Sequence, residues 1–145
     1  RFLIALSLGY PDFADEVAIL EREEHSNPLD AVTPALSLPE VLALQRAARQ
    51  VEVAHKLKTY IVSLVTATRT HPDVIVGVSP RGSSAMQRCV QALALIRGRT
   101  FATPDDIKDA ARAVMPHRML TRDRRAETAG RVLDEVLAEV PVPVR

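Results

Sequence analysis

The sequence predicts an all-α fold, a helical bundle preceded by one β-strand that has no partner in the chain. Three observations carry this expectation. Apolar residues recur at the helical period in five or six segments after residue 10. Most of those segments open on a capping signal. Only one run, Phe2–Leu8, has the near-continuous apolar character of a strand buried on both faces.

Taken in order, residues 1–8 read RFLIALSL, and Gly9-Tyr10-Pro11-Asp12 ends that strand and opens a helix through about Glu24. Since no other stretch reads as a strand, this one is expected to belong to a parallel sheet whose other strands lie upstream. Pro28 and Pro34 mark His25–Ser37 as a linker, expected to be the most mobile part. Ser37 with Glu40 forms a capping-box pattern, and Val41, Leu44 and Ala48 carry a helix to about Arg49. A longer helix runs from about Ala54 to Thr70, with Leu57, Ile61, Leu64 and Thr68 at the helical period, and His71-Pro72 stops it. Arg69 in its last turn reads as a simple C-terminal charge. Thr103-Pro104-Asp105-Asp106 caps another helix, which ends before Pro116. A last amphipathic helix spans about Arg125 to Glu139, with Ala129, Val132, Leu133, Val136 and Leu137 inward.

The stretch with the most chemistry is Gly77-Val78-Ser79-Pro80-Arg81-Gly82-Ser83, which leads into a helix running to Gly98. Ser79 reads as N-cap and Pro80 as first helical residue, which puts Arg81 in the first turn. A cation at that end opposes the helix dipole by about 0.3–1 kcal/mol. A bound anion would give the arginine a reason to be there, because helix N-termini already offer N–H groups to phosphates and a guanidinium adds charge-assisted bonds. A carboxylate elsewhere in the fold would give it another. Cys89 falls on the apolar face of this helix and reads as a buried thiol.

Composition excludes several classes. No run is long and apolar enough to span a membrane and there is no signal-peptide pattern, so a cytoplasmic location is expected. The formal charge of +1 is uneven: residues 1–50 carry four Lys or Arg against eight Asp or Glu, residues 51–145 fifteen against ten. Arg112, Arg118, Arg122, Arg124 and Arg125 supply much of that excess, as a basic patch or as a solvated helix junction. His25, His55, His71 and His117 are scattered and no cysteine cluster exists, so no metal site is expected. The chain has no G-x-x-x-x-G-K-[ST] phosphate loop and no strand ending in magnesium-binding carboxylates, so these residues alone are expected to hydrolyse no nucleotide.

Several motifs in register complete the reading. Arg1-Phe2 with its apolar strand and Gly9-Tyr10-Pro11, then Tyr60-Ile61-Val62, Ala67-Thr68-Arg69-Thr70-His71-Pro72, Gly77-Val78-Ser79-Pro80-Arg81-Gly82, Gly98-Arg99, Thr103-Pro104-Asp105-Asp106 and His117-Arg118 span nearly the whole chain. In this order and spacing they resemble the C-terminal part of a MoxR-type AAA+ ATPase. The resemblance implies a division into residues 1–11, the last strand of an ATPase core; 12–36, a connecting helix and linker; and 37–145, a helical lid over the nucleotide. It implies that Arg81 is the second sensor reaching the γ-phosphate region, with Ser79 and Gly82 beside it in the nucleotide-binding turn. Arg1 stands where the family has its arginine finger. ATP and Mg2+ are implied for the full-length protein, with none expected to bind tightly to these residues alone. The implied partners are the ATPase core of the same chain, neighbouring subunits of a ring, and a client remodelled in a chaperone-like reaction, among them proteins with von Willebrand factor A domains.

The competing function is a free-standing helical adaptor that binds nucleic acid or an acidic partner through the Arg112–Arg125 cluster. Asp123 interrupts that cluster and stacking aromatics are few, so only weak, non-specific nucleic-acid binding is expected. An adaptor also has no use for a buried-type strand without a partner.

Overall fold

Asp12 opens the first helix by accepting from the Asp15 N–H through its side chain at 2.8 Å. The computed structural model describes residues 2–25 and 27–143. Among them the helices are α1 (Phe13–His25), α2 (Leu38–Gln50), α3 (His55–Thr70), α4 (Pro80–Ile96), α5 (Pro104–Val114) and α6 (Ala126–Glu139), with 3-10 turns at Pro28–Ala31 and Pro116–Arg118. Two strands, β1 (Val74–Val76) and β2 (Leu120–Thr121), complete the list.

The chain divides into two compact units, one of them Leu6–Ala43 and the other Leu44 onward together with the described residues up to Ala5. In the smaller unit Glu40 accepts the Ser37 N–H at 2.7 Å, one half of the expected capping box, while the Ser37 hydroxyl donates to the same carboxylate instead of capping the helix. On α1 Phe13 is 84 % and Leu20 64 % exposed, and α2 buries nothing along its whole length. An amphipathic helix needs a surface to cover its stripe, and none of these residues supplies one.

The larger unit holds the core. Leu64, Met86, Ile107, Met115 and Leu133 are almost wholly buried where α4 lies against α3 and α5, and α6 closes on α3 and α5. Full burial of each such side chain is worth about 1.5–3 kcal/mol. Thr103 and Asp106 form a complete capping box at the start of α5, and Gly98, at φ 70°, ends α4 in the left-handed conformation that only glycine adopts cheaply. Burial pushes the Cys89 thiol up, against a smaller opposing effect of Arg118, so it behaves as a core residue.

Not everything after residue 10 is helical. β1 pairs antiparallel with β2, Val74 opposite Thr121 and Val76 opposite Leu120, with a bulge between. Three β-branched residues form β1, but a three-residue strand is too short to show a period in the sequence. Phe2–Leu8, by contrast, belong to no ladder, since a strand exists only beside another and these residues have no neighbouring strand among those described. The Ala5 N–H donates to the Ala113 carbonyl at 2.9 Å, and Arg118 Nη2 donates to the carbonyls of Phe2 and Leu3 at 2.6 and 3.1 Å.

The end of α3 is tied to α6. The Asp73 N–H donates to His71 Nδ1 at 3.2 Å, so the ring carries its proton on Nε2 and donates to Glu135 at 2.9 Å. Arg131 bridges Asp73 and Glu135 at 2.6 Å each.

Candidate functional site

The candidate site is the turn that joins α3 to α4. Thr68 is fully buried, and its hydroxyl donates to the Val65 carbonyl at 2.6 Å while accepting the Val78 N–H at 3.0 Å. Arg69 Nε donates to the Val78 carbonyl at 2.8 Å. Both backbone polar groups of Val78 are therefore held by side chains of the last turn of α3. Arg69, expected only as a helix-end charge, in fact fixes the backbone that leads into Ser79-Pro80-Arg81.

Gly77 allows this close seating, because a Cβ there would stand 2.6 Å from Arg69 Cα and 2.7 Å from Arg69 N. Neither backbone atom can yield as a side chain would. Gly77→Ala is expected to cost about 1–3 kcal/mol, as overpacking does, and to lower the thermal melt of the chain. A melt equal to wild type would show that Gly77-Val78 does not sit on α3.

Ser79 occupies the N-cap position of α4 with an extended backbone, φ −78° and ψ 167°, and Pro80 opens the helix. The expected side-chain cap is not made. Instead the Gly82 N–H donates to the Ser79 carbonyl at 2.7 Å, tightening the first turn, and the serine hydroxyl is left uncommitted among the described residues. Gly82 is buried, and a Cβ there would collide with the Val78 side chain and approach Arg118 Cδ to 3.5 Å. Arg81 is exposed and pairs with no carboxylate among the described residues.

Arg81 lines a cavity of about 490 Å³ with Ser84, Ala85, Arg88, Arg118 and residues 2–3. Three guanidinium groups line it, and among the described residues no acid does. A polyanion fits this donor set: the fork donors of Arg81 and Arg88, the Ser84 hydroxyl and the positive end of a 17-residue helix. Arg1, the other expected site residue, lies outside the described residues.

The basic cluster does not form one face. Arg112 pairs with Asp134 at 2.6 Å, Arg118 holds the carbonyls of residues 2 and 3, and Arg122 Nε donates to the Pro72 carbonyl at 2.6 Å. Asp123 is held well down, at about 2, by hydrogen bonds from the Thr128 hydroxyl, the Arg125 N–H and the Thr121 hydroxyl. Most of this run builds a corner, and Arg124 and Arg125 are left at the rim of a second cavity of about 340 Å³. Among the described residues no group of His, Cys, Asp and Glu is placed to hold a metal ion, and no helix is long and apolar enough to cross a membrane.

Comparison with known proteins decides the family. The family model described as the AAA lid domain matches residues 66–140, from the end of α3 to the end of α6. The chain belongs to the AAA lid domain family. Its relatives give the type. It is 38 % identical over 148 residues to the uncharacterized protein YeaC of Bacillus subtilis (strain 168), covering 100 % of this chain and 46 % of that protein. It is 33 % identical over 155 residues to the chaperone MoxR1 of Mycobacterium tuberculosis, covering 99 % of this chain and 41 % of the relative. The crystal structure of a candidate ATPase from Cytophaga hutchinsonii superposes with a TM-score of 0.83 at 25 % identity, over 99 % of this chain and 47 % of the other. The chain thus spans less than half the length of these curated relatives and carries the lid region of a MoxR-type AAA+ ATPase.

Thr68 was legible as a polar residue at a core period. Arg69 and Arg88 gave no signal in the sequence, because an arginine in a last turn or on an outer helix face is commonplace.

Proposed function

We propose that this chain is the nucleotide-sensing lid of an ATPase that uses ATP hydrolysis for chaperone-like remodelling of partner proteins. One observation carries the reading: among the described residues Arg81 stands without a counter-ion in the first turn of α4, on a backbone held from behind by Thr68 and Arg69. In this reading Arg81 is the second sensor, with Ser79 and Gly82 beside it in the nucleotide-facing turn. Arg1 is the finger offered to a neighbouring subunit. ATP with Mg2+ supplies the phosphoryl group whose transfer drives remodelling. The residues of this chain bind and orient that group, and the phosphate loop and magnesium ligands belong to an ATPase core.

The division into residues 1–11, 12–36 and 37–145 is part of the proposal, as are ring neighbours and a client, among them proteins with von Willebrand factor A domains. The apolar faces of α1 and α2 support it, since an ATPase core is a surface that would cover them. The test is amide hydrogen exchange in the full-length protein with and without a non-hydrolysable ATP analogue and Mg2+. Exchange at the first turn of α4 is expected to slow several-fold when nucleotide is bound. Equal exchange in both states, with nucleotide binding shown independently, would overturn the assignment.

A further inference from the structure

We propose that Arg88 is a second cation for the polyphosphate that Arg81 meets, with Arg118 as a fixed third; the proposal rests on the nucleotide reading above and adds to it residues that reading does not use. Arg88 follows Arg81 by seven residues, close to two helical turns, so both project from one side of α4 about 10.5 Å apart along its axis. Both line the cavity that Arg118 also lines. The helix PRGSSAMQRCVQALALI contains no carboxylate, so neither arginine can be neutralised by an i±3 or i±4 neighbour. Nor does any acid among the described residues line the cavity from another element.

The positions of these charges are set by the fold. Arg118 has its Nη2 occupied by two backbone carbonyls and its Nε buried with no partner among the described residues, and its Cδ passes over Gly82. Its charge is therefore fixed beside the first turn of α4. Arg81 and Arg88 spend none of their donors on the described residues. Like charges brought together without a counter-ion oppose one another, and a multiply charged anion turns that opposition into binding. A single phosphate needs one guanidinium fork, whereas a triphosphate chain has enough oxygens and length to engage more than one. Ser84, between the two arginines, adds to the same wall a hydroxyl that donates to the Pro80 carbonyl at 3.5 Å and can still accept. The ligand class this surface takes is thus an extended polyphosphate, the part of a nucleotide common to all bases.

The experiment is calorimetric titration of inorganic tripolyphosphate into the 145-residue chain at low salt. Arg88→Gln is expected to weaken binding about tenfold, the loss of one charge-assisted contact. Arg46→Gln removes the same charge from α2, away from the cavity, and is expected to leave the affinity unchanged. If Arg46→Gln weakens binding as much as Arg88→Gln, or if neither variant has an effect, the inference falls. Arg88-dependent binding of duplex DNA at physiological salt, tighter than that of tripolyphosphate, would overturn it in favour of nucleic acid. In the full-length protein Arg88→Gln is expected to raise KM for ATP several-fold. Should tripolyphosphate respond to Arg88 while ATP kinetics ignore both Arg81 and Arg88, the anion site stands and the nucleotide reading fails. Should Arg81→Ala lower kcat while Arg88→Gln changes neither affinity nor KM, only the present inference fails.

Discussion

Replacing Arg81 with alanine in the full-length ATPase is expected to lower kcat by about one to three orders of magnitude, the usual cost of losing one positioned donor to a transferring phosphoryl group. A sensor of this kind acts when lid and core close on ATP, so its contribution is made mainly in the transition state, and the effect on nucleotide affinity is expected to be smaller. The fold should survive. Arg81 is exposed and has no carboxylate partner among the described residues, and its removal relieves an unfavourable contact with the helix dipole of about 0.3–1 kcal/mol. Steady-state ATPase and a thermal melt of the same preparation check both halves. An unchanged kcat would make Arg81 a solvated surface residue. A melt lowered by many degrees would make it a structural one.

How far this site could be read from the sequence depends on which interactions are local. Helix α5 was legible almost to the residue, because its cap, its first-turn proline and its acids lie within four positions of one another. The Ser79-Pro80 start of α4 was equally plain, although the serine cap itself is not made: the turn closes through the Gly82 N–H instead. The support behind Arg81 was not legible. It comes from residues nine or ten positions earlier, and nothing in the local pattern says that the Arg69 side chain will reach the Val78 carbonyl. The same holds for the β1–β2 pair, whose partners lie more than forty residues apart. The basic run Arg112–Arg125 misled in the other direction. Closeness in sequence suggested a patch, whereas Arg112, Arg118 and Arg122 each turn to a different acceptor within the chain.

The largest stability effect is expected at Asp106, among the described residues the one acid whose side chain is completely buried, beside two arginines. It accepts from Arg99 Nη1 at 2.8 Å and Nη2 at 2.6 Å, from Arg97 Nη1 at 2.7 Å, and from the Thr103 N–H and hydroxyl at 2.8 and 2.9 Å. It thereby joins the end of α4 to the start of α5. Burial alone would raise its pKa, but the hydrogen bonds from Arg99, Thr103 and Arg97 together outweigh it and hold the carboxyl well below the usual carboxylate range. Removing one partner of a buried pair costs about 3–5 kcal/mol. The side chains of Arg97 and Arg99 are 41 % and 25 % exposed and can regain water, so Asp106→Ala is expected near the lower end, about 3 kcal/mol. For a chain of this size that is a drop of about 6–12 °C in melting temperature. Asp106→Asn should cost nearly as much, because its amide would set donors against two guanidinium groups. The pH dependence separates this account from simple packing. A carboxylate whose folded pKa lies below its unfolded value of about 3.9 contributes stability that is present above that pH and is lost as pH falls toward the folded value. Asp123, held at about 2, acts in the same direction. The wild-type melt should therefore fall below about pH 4, and Asp106→Ala should show a shallower fall over the same range. Parallel curves for the two proteins would mean that the Asp106 charge contributes nothing and that its side chain acts only by filling space.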